Sequence, residues 1–245
     1  MKKGHKNKYI IGIDEVGRGP LCGPVTLAAF CIPTNSSHLI SNFPLKDSKK
    51  LSEEKRNYFF KLLKQLKNEG KINYSVSHIK HSLIDKDGLS KCIKKGIKRC
   101  LHKLENRYKL EIKPDLRAGR GQSRSQASEV SPLAGSRSDL SVARSPTLDT
   151  RPLSLNSKIL LDGSLKAPDE YKNQKTIIKG DEKVKIIALA SIIAKVSRDK
   201  IMRRFAKKFP QYGFEIHKGY GTKAHHKALK KYGPCEIHRM SFLRK

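Results

Sequence analysis

The segment that most constrains this chain is Tyr9-Ile10-Ile11-Gly12-Ile13-Asp14-Glu15-Val16, which runs straight into Gly17-Arg18-Gly19-Pro20. An apolar, β-branched run bounded by glycine and proline reads as a buried strand rather than a helix. Asp14 and Glu15 then stand where a buried sheet first meets solvent, in a chain whose 53 Lys and Arg against 22 Asp and Glu give a formal net charge of +31. Paired acids at that place repel each other, and a divalent cation such as Mg2+ or Mn2+ offsets the repulsion. The glycines on either side of Arg18 let backbone amides and a guanidinium approach an anion closely. Acids to hold metal beside donors to hold phosphate make up the layout that phosphodiester cleavage needs. One conflict follows from strand geometry: neighbouring residues point to opposite faces. Asp14 and Glu15 share a site only if the strand twists out into its turn.

Composition narrows the partners. So large a positive charge repels itself unless a polyanion shares the surface, which makes nucleic acid the leading partner. No apolar run approaches eighteen residues, so no membrane span is expected, and no apolar stretch follows the basic N-terminus to make a secretory signal. Hydrophobic residues are 37 % of the chain, low enough that part of it is expected to lie outside any core. The cysteines (Cys22, Cys31, Cys92, Cys100 and Cys235) are odd in number and lack metal-ligand spacing. They read as reduced, mostly buried thiols of a cytoplasmic protein. His217, His225, His226 and His238 invite a zinc site, but no cysteine stands at a spacing that completes one, so none is expected.

Along the chain, Pro24 to Ile32 reads as a second strand, antiparallel to the first because the link is short. Ser52 is placed to cap a helix with Glu53 and Glu54 in its first turn, and Gly70 to stop it. Lys71 to His78 alternates as a half-buried strand, and Leu89 to Glu105 carries a helical apolar stripe. From Leu116 to Asn156 there is no lysine and no aromatic residue, and six arginines are scattered through serine, alanine and glycine. That composition cannot bury enough apolar surface to offset ordering, so 116–156 reads as a disordered insertion in one continuous domain spanning 1–245. Ile159-Leu160-Leu161-Asp162 and Lys175-Thr176-Ile177-Ile178-Lys179-Gly180-Asp181 each read as a strand ending in an acid. Glu182 to Phe209 then reads as one long helix, buried in its first half and basic in its second, and 210–245 as a small helical part.

The chain resembles the ribonuclease HII (type 2 ribonuclease H) family. The resemblance rests on Gly12-Ile13-Asp14-Glu15-Val16-Gly17-Arg18-Gly19-Pro20-Leu21, Asp47-Ser48-Lys49-Lys50-Leu51-Ser52, Leu161-Asp162-Gly163 and Lys179-Gly180-Asp181. It continues through Ala190-Ser191-Ile192-Ile193-Ala194-Lys195-Val196, His217-Lys218-Gly219-Tyr220 and His238-Arg239-Met240-Ser241-Phe242. These segments follow the family's order.

The resemblance implies an α/β ribonuclease H-like fold, a central mixed five-stranded sheet flanked by helices, with 210–245 as a helical, substrate-sensing part. It implies a metal-dependent endoribonuclease that hydrolyses the RNA strand of RNA–DNA hybrids and nicks 5′ to ribonucleotides embedded in duplex DNA. Asp14, Glu15, Asp162 and Asp181 are its implied catalytic and metal-binding carboxylates, holding two Mg2+ or Mn2+ ions for in-line attack of water that leaves 5′-phosphate and 3′-hydroxyl. Gly17, Arg18, Gly19 and Tyr220 are implied to read the ribonucleotide junction. Ser48, Lys49, Lys50 and Lys195 are expected phosphate contacts. A monomer without an obligate protein partner is expected. The rival reading is a basic nucleic-acid-binding protein whose activity the insertion has abolished. A resolvase- or transposase-like nuclease is a third, disfavoured by the Gly-Arg-Gly turn.

Overall fold

A computed structural model describes residues 8–43, 51–111 and 157–244. Ser48, Lys49, Lys50 and the expected insertion 116–156 lie outside the described residues. Strand β1 (Tyr9–Val16) pairs antiparallel with β2 (Val25–Pro33), and β2 antiparallel with β3 (Asn73–Ile79). On its other side β1 pairs in parallel with β4 (Ser157–Asp162), which pairs in parallel with β5 (Gln174–Ile177). The order β3-β2-β1-β4-β5 makes a mixed five-stranded sheet with the acid-bearing strand at its centre. The expected antiparallel partner of β1 is therefore present, with the boundaries moved by a residue.

Helices cover both faces. Helix α1 (Glu53–Asn68) starts where expected, with Ser52 Oγ accepting from the Lys55 amide at 3.2 Å; such a cap contributes about 1 kcal/mol. Helix α2 (His81–Asp87) is short, and α3 (Leu89–Glu111) runs past the Glu105 expected from its apolar stripe. Ile93, Ile97, Cys100, Leu101 and Leu104 of α3 pack on Ile11, Ile13, Leu27, Ile159 and Leu161.

The expected helix Glu182–Phe209 is divided, and so is the strand expected before it. β5 stops at Ile177, and Lys179 at φ +54° leads into α4 (Gly180–Lys183), so Asp181 sits in a helical turn rather than at a strand end. Val184 is extended, and its carbonyl accepts from the Ile187 and Ala188 amides to begin α5 (Lys185–Lys208). A capping residue needs non-helical backbone, which is why the periodic run breaks there. Ile186, Leu189, Ala190, Ile193 and Ala194 of α5 cover Ala28, Phe30 and Ile32 on the second sheet face.

The C-terminal part forms around a third apolar cluster, Cys22, Met202, Tyr212, Phe214, Ala228 and Ile237. It comprises α6 (Phe214–His217), α7 (Lys223–Tyr232) and α8 (Met240–Leu243). All five cysteines are free, four of them buried and Cys235 partly so. No helix among the described residues is long and apolar enough to cross a membrane.

Helix α5 lies on β1 at Gly12, where an added Cβ would stand 2.4 Å from the Ile186 carbonyl oxygen. Backbone cannot yield as a flexible side chain does. Gly12→Ala is expected to destabilise the protein by about 1–3 kcal/mol, read as a lower urea midpoint at constant m-value. An unchanged midpoint would show that α5 has room to shift.

Candidate active site

Strand alternation puts Asp14 on the α5 face, where its carboxylate hydrogen-bonds Ser191. Glu15 falls on the opposite face, opposite Leu27 of the α3 core in the β1–β2 register. Both nevertheless line one cavity of about 380 Å3, because β1 ends at Val16 and Gly17, at φ +93°, turns the chain across the strand's end. Asp162 joins them from the end of the parallel neighbour β4, and Arg18, Arg56, Lys195 and Tyr220 complete the basic and aromatic wall. Three of the four acids expected to converge thus share this cavity. Asp181 does not line it; it is fully buried behind Asp162, whose Oδ1 accepts from the Gly180 amide at 2.6 Å and the Asp181 amide at 3.4 Å.

Burial dominates the electrostatics. Desolvation, then the negative charge of Glu15 and Asp162, raises Asp14 to about 8, against hydrogen bonds from Ser191 and from the Glu15 amide at 2.7 Å. Glu15 is also raised by burial, while Arg18, whose Nη1 lies 3.1 Å from Glu15 Oε1, opposes the shift. The second oxygen, Glu15 Oε2, is buried without a hydrogen-bond partner among the described residues. A buried, unsatisfied carboxylate oxygen costs free energy unless something fills its lone pairs. Hard carboxylate oxygens crowded in this way suit Mg2+ or Mn2+, so the residues present fit a divalent cation.

Two buried arginines that the sequence reading did not single out support the turn. Arg239 donates from Nη2 to the Gly17 carbonyl at 2.7 Å, from Nη1 to the Arg18 carbonyl at 3.0 Å, and from Nε to Gly23 at 3.0 Å. Arg198 donates to the carbonyls of Pro24 (2.9 Å), Lys218 (2.9 Å) and Cys22 (3.2 Å). A Cβ on Gly17 would meet Arg198 Nε at 2.4 Å, so the residue needs glycine for room as well as for its φ. Tyr220 is 39 % exposed and lies over the same guanidinium, its ring centroid 5.8 Å from Arg198 Cζ.

Lys195 faces the cavity but is held at 3.0 Å by the buried Asp199. Arg56 and Ser191 are the other residues missed. Ser191 stood inside a quoted motif without a role, and Arg56 follows the α1 cap with no pattern to mark it.

The arrangement is that of a nuclease of the ribonuclease H fold with a carboxylate-lined cavity at the end of the central strand. A family model described as Ribonuclease HII matches residues 11–133 and 140–245. The chain is 37 % identical over 234 residues to the Ribonuclease HII of Endomicrobium trichonymphae, spanning 95 % of this chain and 84 % of that protein. It is 39 % identical over 238 residues to the Ribonuclease HII of Clostridium perfringens, spanning 97 % and 67 %. Among solved structures, the ribonuclease H2 of Pyrococcus horikoshii OT3 superposes with a TM-score of 0.59 at 21 % identity, over 95 % of this chain and 93 % of that one. Bst-RNase HIII in complex with Mn2+ gives 0.55 at 17 % identity, over 94 % and 64 %. This chain belongs to the ribonuclease HII family, and is a metal-dependent endoribonuclease that acts on RNA–DNA hybrids.

Because Asp14 is raised from 3.8 to about 8 in the folded protein, its contribution to stability is fully present below pH 3.8 and is lost as pH rises through 8. In chelator, replacing Asp14 by Asn is expected to help folding at pH 8 and not at pH 4, read as melting temperatures at both. Equal effects at both would contradict the buried like-charge cluster.

Proposed function

We propose that Asp14, Glu15 and Asp162, with Asp181 backing Asp162, form a site for two divalent cations, Mg2+ or Mn2+, and that the protein nicks duplex DNA on the 5′ side of an embedded ribonucleotide as well as cutting hybrids. The observation that carries this reading is the unsatisfied Glu15 Oε2 beside Asp14 and Asp162 in one cavity. Two ions bound there would supply Lewis-acid polarisation of the phosphodiester and lower the pKa of attacking water. Asp181 supports Asp162 from behind, through the amides that hold its Oδ1. Ser191 orients Asp14, and Arg18 orients Glu15.

The Gly17–Gly19 turn supplies the approach to substrate. The Gly17 and Arg18 carbonyls held by Arg239 leave backbone groups of the turn able to meet the 2′-hydroxyl, the handle that separates RNA from DNA. The half-exposed face of Tyr220 suits a deoxyribose, against which a 2′-hydroxyl would crowd. Arg56 and Lys195, on the same wall, suit the flanking phosphates. The products are a 5′-phosphate and a 3′-hydroxyl, and the free thiols support work in the reducing cytoplasm.

A duplex carrying one ribonucleotide, incubated with Mg2+ or Mn2+, is expected to be nicked on its 5′ side. Asp14→Asn or Asp162→Asn should lower the rate more than about a hundredfold, roughly 3 kcal/mol of transition-state stabilisation. Binding without cutting would favour the non-catalytic reading, and cutting of all-DNA branched substrate the resolvase-like one.

We also propose that 116–156 is an insertion dispensable for catalysis, a reading supported by its lysine-free, aromatic-free composition. Its deletion should leave the nicking rate unchanged or raised; collapse of the rate would assign it a structural role.

A further inference from the structure

A second concentration of ligating groups lies where the C-terminal part meets Cys22, outside the carboxylate cavity. Cys22, His225 and His238 are all buried, and each offers one donor atom within 4.8 Å of the other two. His225 Nε2 and His238 Nε2 lie 3.1 Å apart. Two imidazole nitrogens on one tetrahedral zinc, at about 2.0–2.1 Å from the ion, would be roughly 3.3 Å apart, so the pair is already at bite distance. Cys22 is fixed by backbone rather than by chance. It pairs with His238 as an antiparallel bridge, flanked by the Gly23 amide on the Ile237 carbonyl (2.9 Å) and the Arg239 amide on the Leu21 carbonyl (2.8 Å).

We propose that Cys22, His225 and His238 form a zinc site, with Cys235 as the fourth donor. Cys235 Sγ is 3.2 Å from His238 Nδ1 and outside the close three-donor group, so it would have to move from that nitrogen toward the Nε2 side to complete the set. The surroundings match those of a structural site. His225 Nδ1 lies 2.9 Å from the Tyr220 carbonyl; donating there leaves Nε2 as the lone-pair nitrogen, the arrangement that orients metal-binding histidines. His238 Nδ1 has two alternatives, accepting from the Cys235 amide at 2.9 Å or donating to the Cys235 carbonyl at 3.1 Å. The second tautomer frees Nε2 for an ion. His217 stacks on His225 with centroids 4.4 Å apart, and Phe214 stands edge-on at 5.6 Å, so the rings have little room to turn away.

The consequence is specific to this chain's architecture. Cys22 follows the Gly17–Gly19 turn, His225 holds the Tyr220 carbonyl, and His238 precedes the arginine that grips Gly17 and Arg18. One ion would tie together the segments that form the junction-reading wall, without touching the carboxylate cavity.

The test uses the full chain, reduced and stripped of metal, titrated with Co2+ as a zinc surrogate. A thiolate-to-cobalt charge-transfer band in the near ultraviolet is expected, saturating at one equivalent and bleached by zinc; ions at the carboxylates give no such band. Cys22→Ser should halve it and Cys235→Ser should weaken binding at least tenfold, the double variant should abolish it, and Cys31→Ser, a buried thiol elsewhere, should leave it unchanged. One equivalent of zinc should raise the melting temperature of the wild type more than that of Cys22→Ser. Absence of the band in folded wild-type protein overturns the proposal, whatever the variants do, as does a band of full strength in Cys22→Ser. Neither result bears on hybrid cleavage.

Discussion

Helix α5 resting directly on strand β1 is the contact from which the site follows. With no side chain at Gly12, the helix backbone comes within touching distance of the strand, and everything further along both elements is placed by that seat. Ser191 arrives over Asp14, Lys195 reaches the cavity wall, and Arg198 crosses Gly17 to take the Pro24 carbonyl. One close approach thus sets a hydroxyl on the first carboxylate, a cation at the cavity and a brace under the turn. The apolar stripe that holds α5 down, Leu189, Ala190, Ile193 and Ala194, is buried for the same reason.

The cost of this seat is electrostatic. It drives Asp14 out of water next to two other acids, while one oxygen of Glu15, from the other face, is buried without a hydrogen-bond partner among the described residues. A fold selected for stability alone would not retain that combination in its central strand, since replacing a buried charge by an apolar group is often neutral or favourable. Strain of this kind marks functional sites, and a divalent cation bound there, as proposed, would relieve it. Basic groups are distributed unevenly around it. Arg198 and Arg239 are wholly buried and spend their donors on carbonyls, whereas Arg18, half-exposed, keeps reach toward solvent. The net charge of +31 therefore does two jobs, internal bracing and attraction of a polyanion.

Much of this was legible in the residue order. The β-branched run before Asp14, the Ser52 cap and the short link between β1 and β2 each act locally, and each appears where local physics puts it. Thr176-Ile177-Ile178, apolar and β-branched, points to a strand ending at Asp181; the chain instead leaves the sheet at Ile177, and the left-handed Lys179 starts a helical turn. Val184 hid a helix break because a capping carbonyl carries no side-chain signature. No cysteine spacing in the sequence completes a zinc set with the histidines, and Cys22, which meets His225 and His238, comes from the opposite end of the chain. Spacing rules find only ligands that are close in sequence.

The amino-acid sequence by itself determined the succession of strands and helices, the acids at the end of a buried strand, the glycine turn beside them and the polyanionic partner. Those are consequences of hydrophobic period, backbone permissiveness and net charge, which act over a few residues or over the whole chain at once. Only the tertiary structure decided that Asp162 shares a cavity with Asp14, that Asp181 stays behind it, and that Arg239 grips the turn it helps shape. Such meetings depend on how sheet register and helix seating bring remote segments within hydrogen-bonding range, and that range is a few ångströms whatever the separation along the chain.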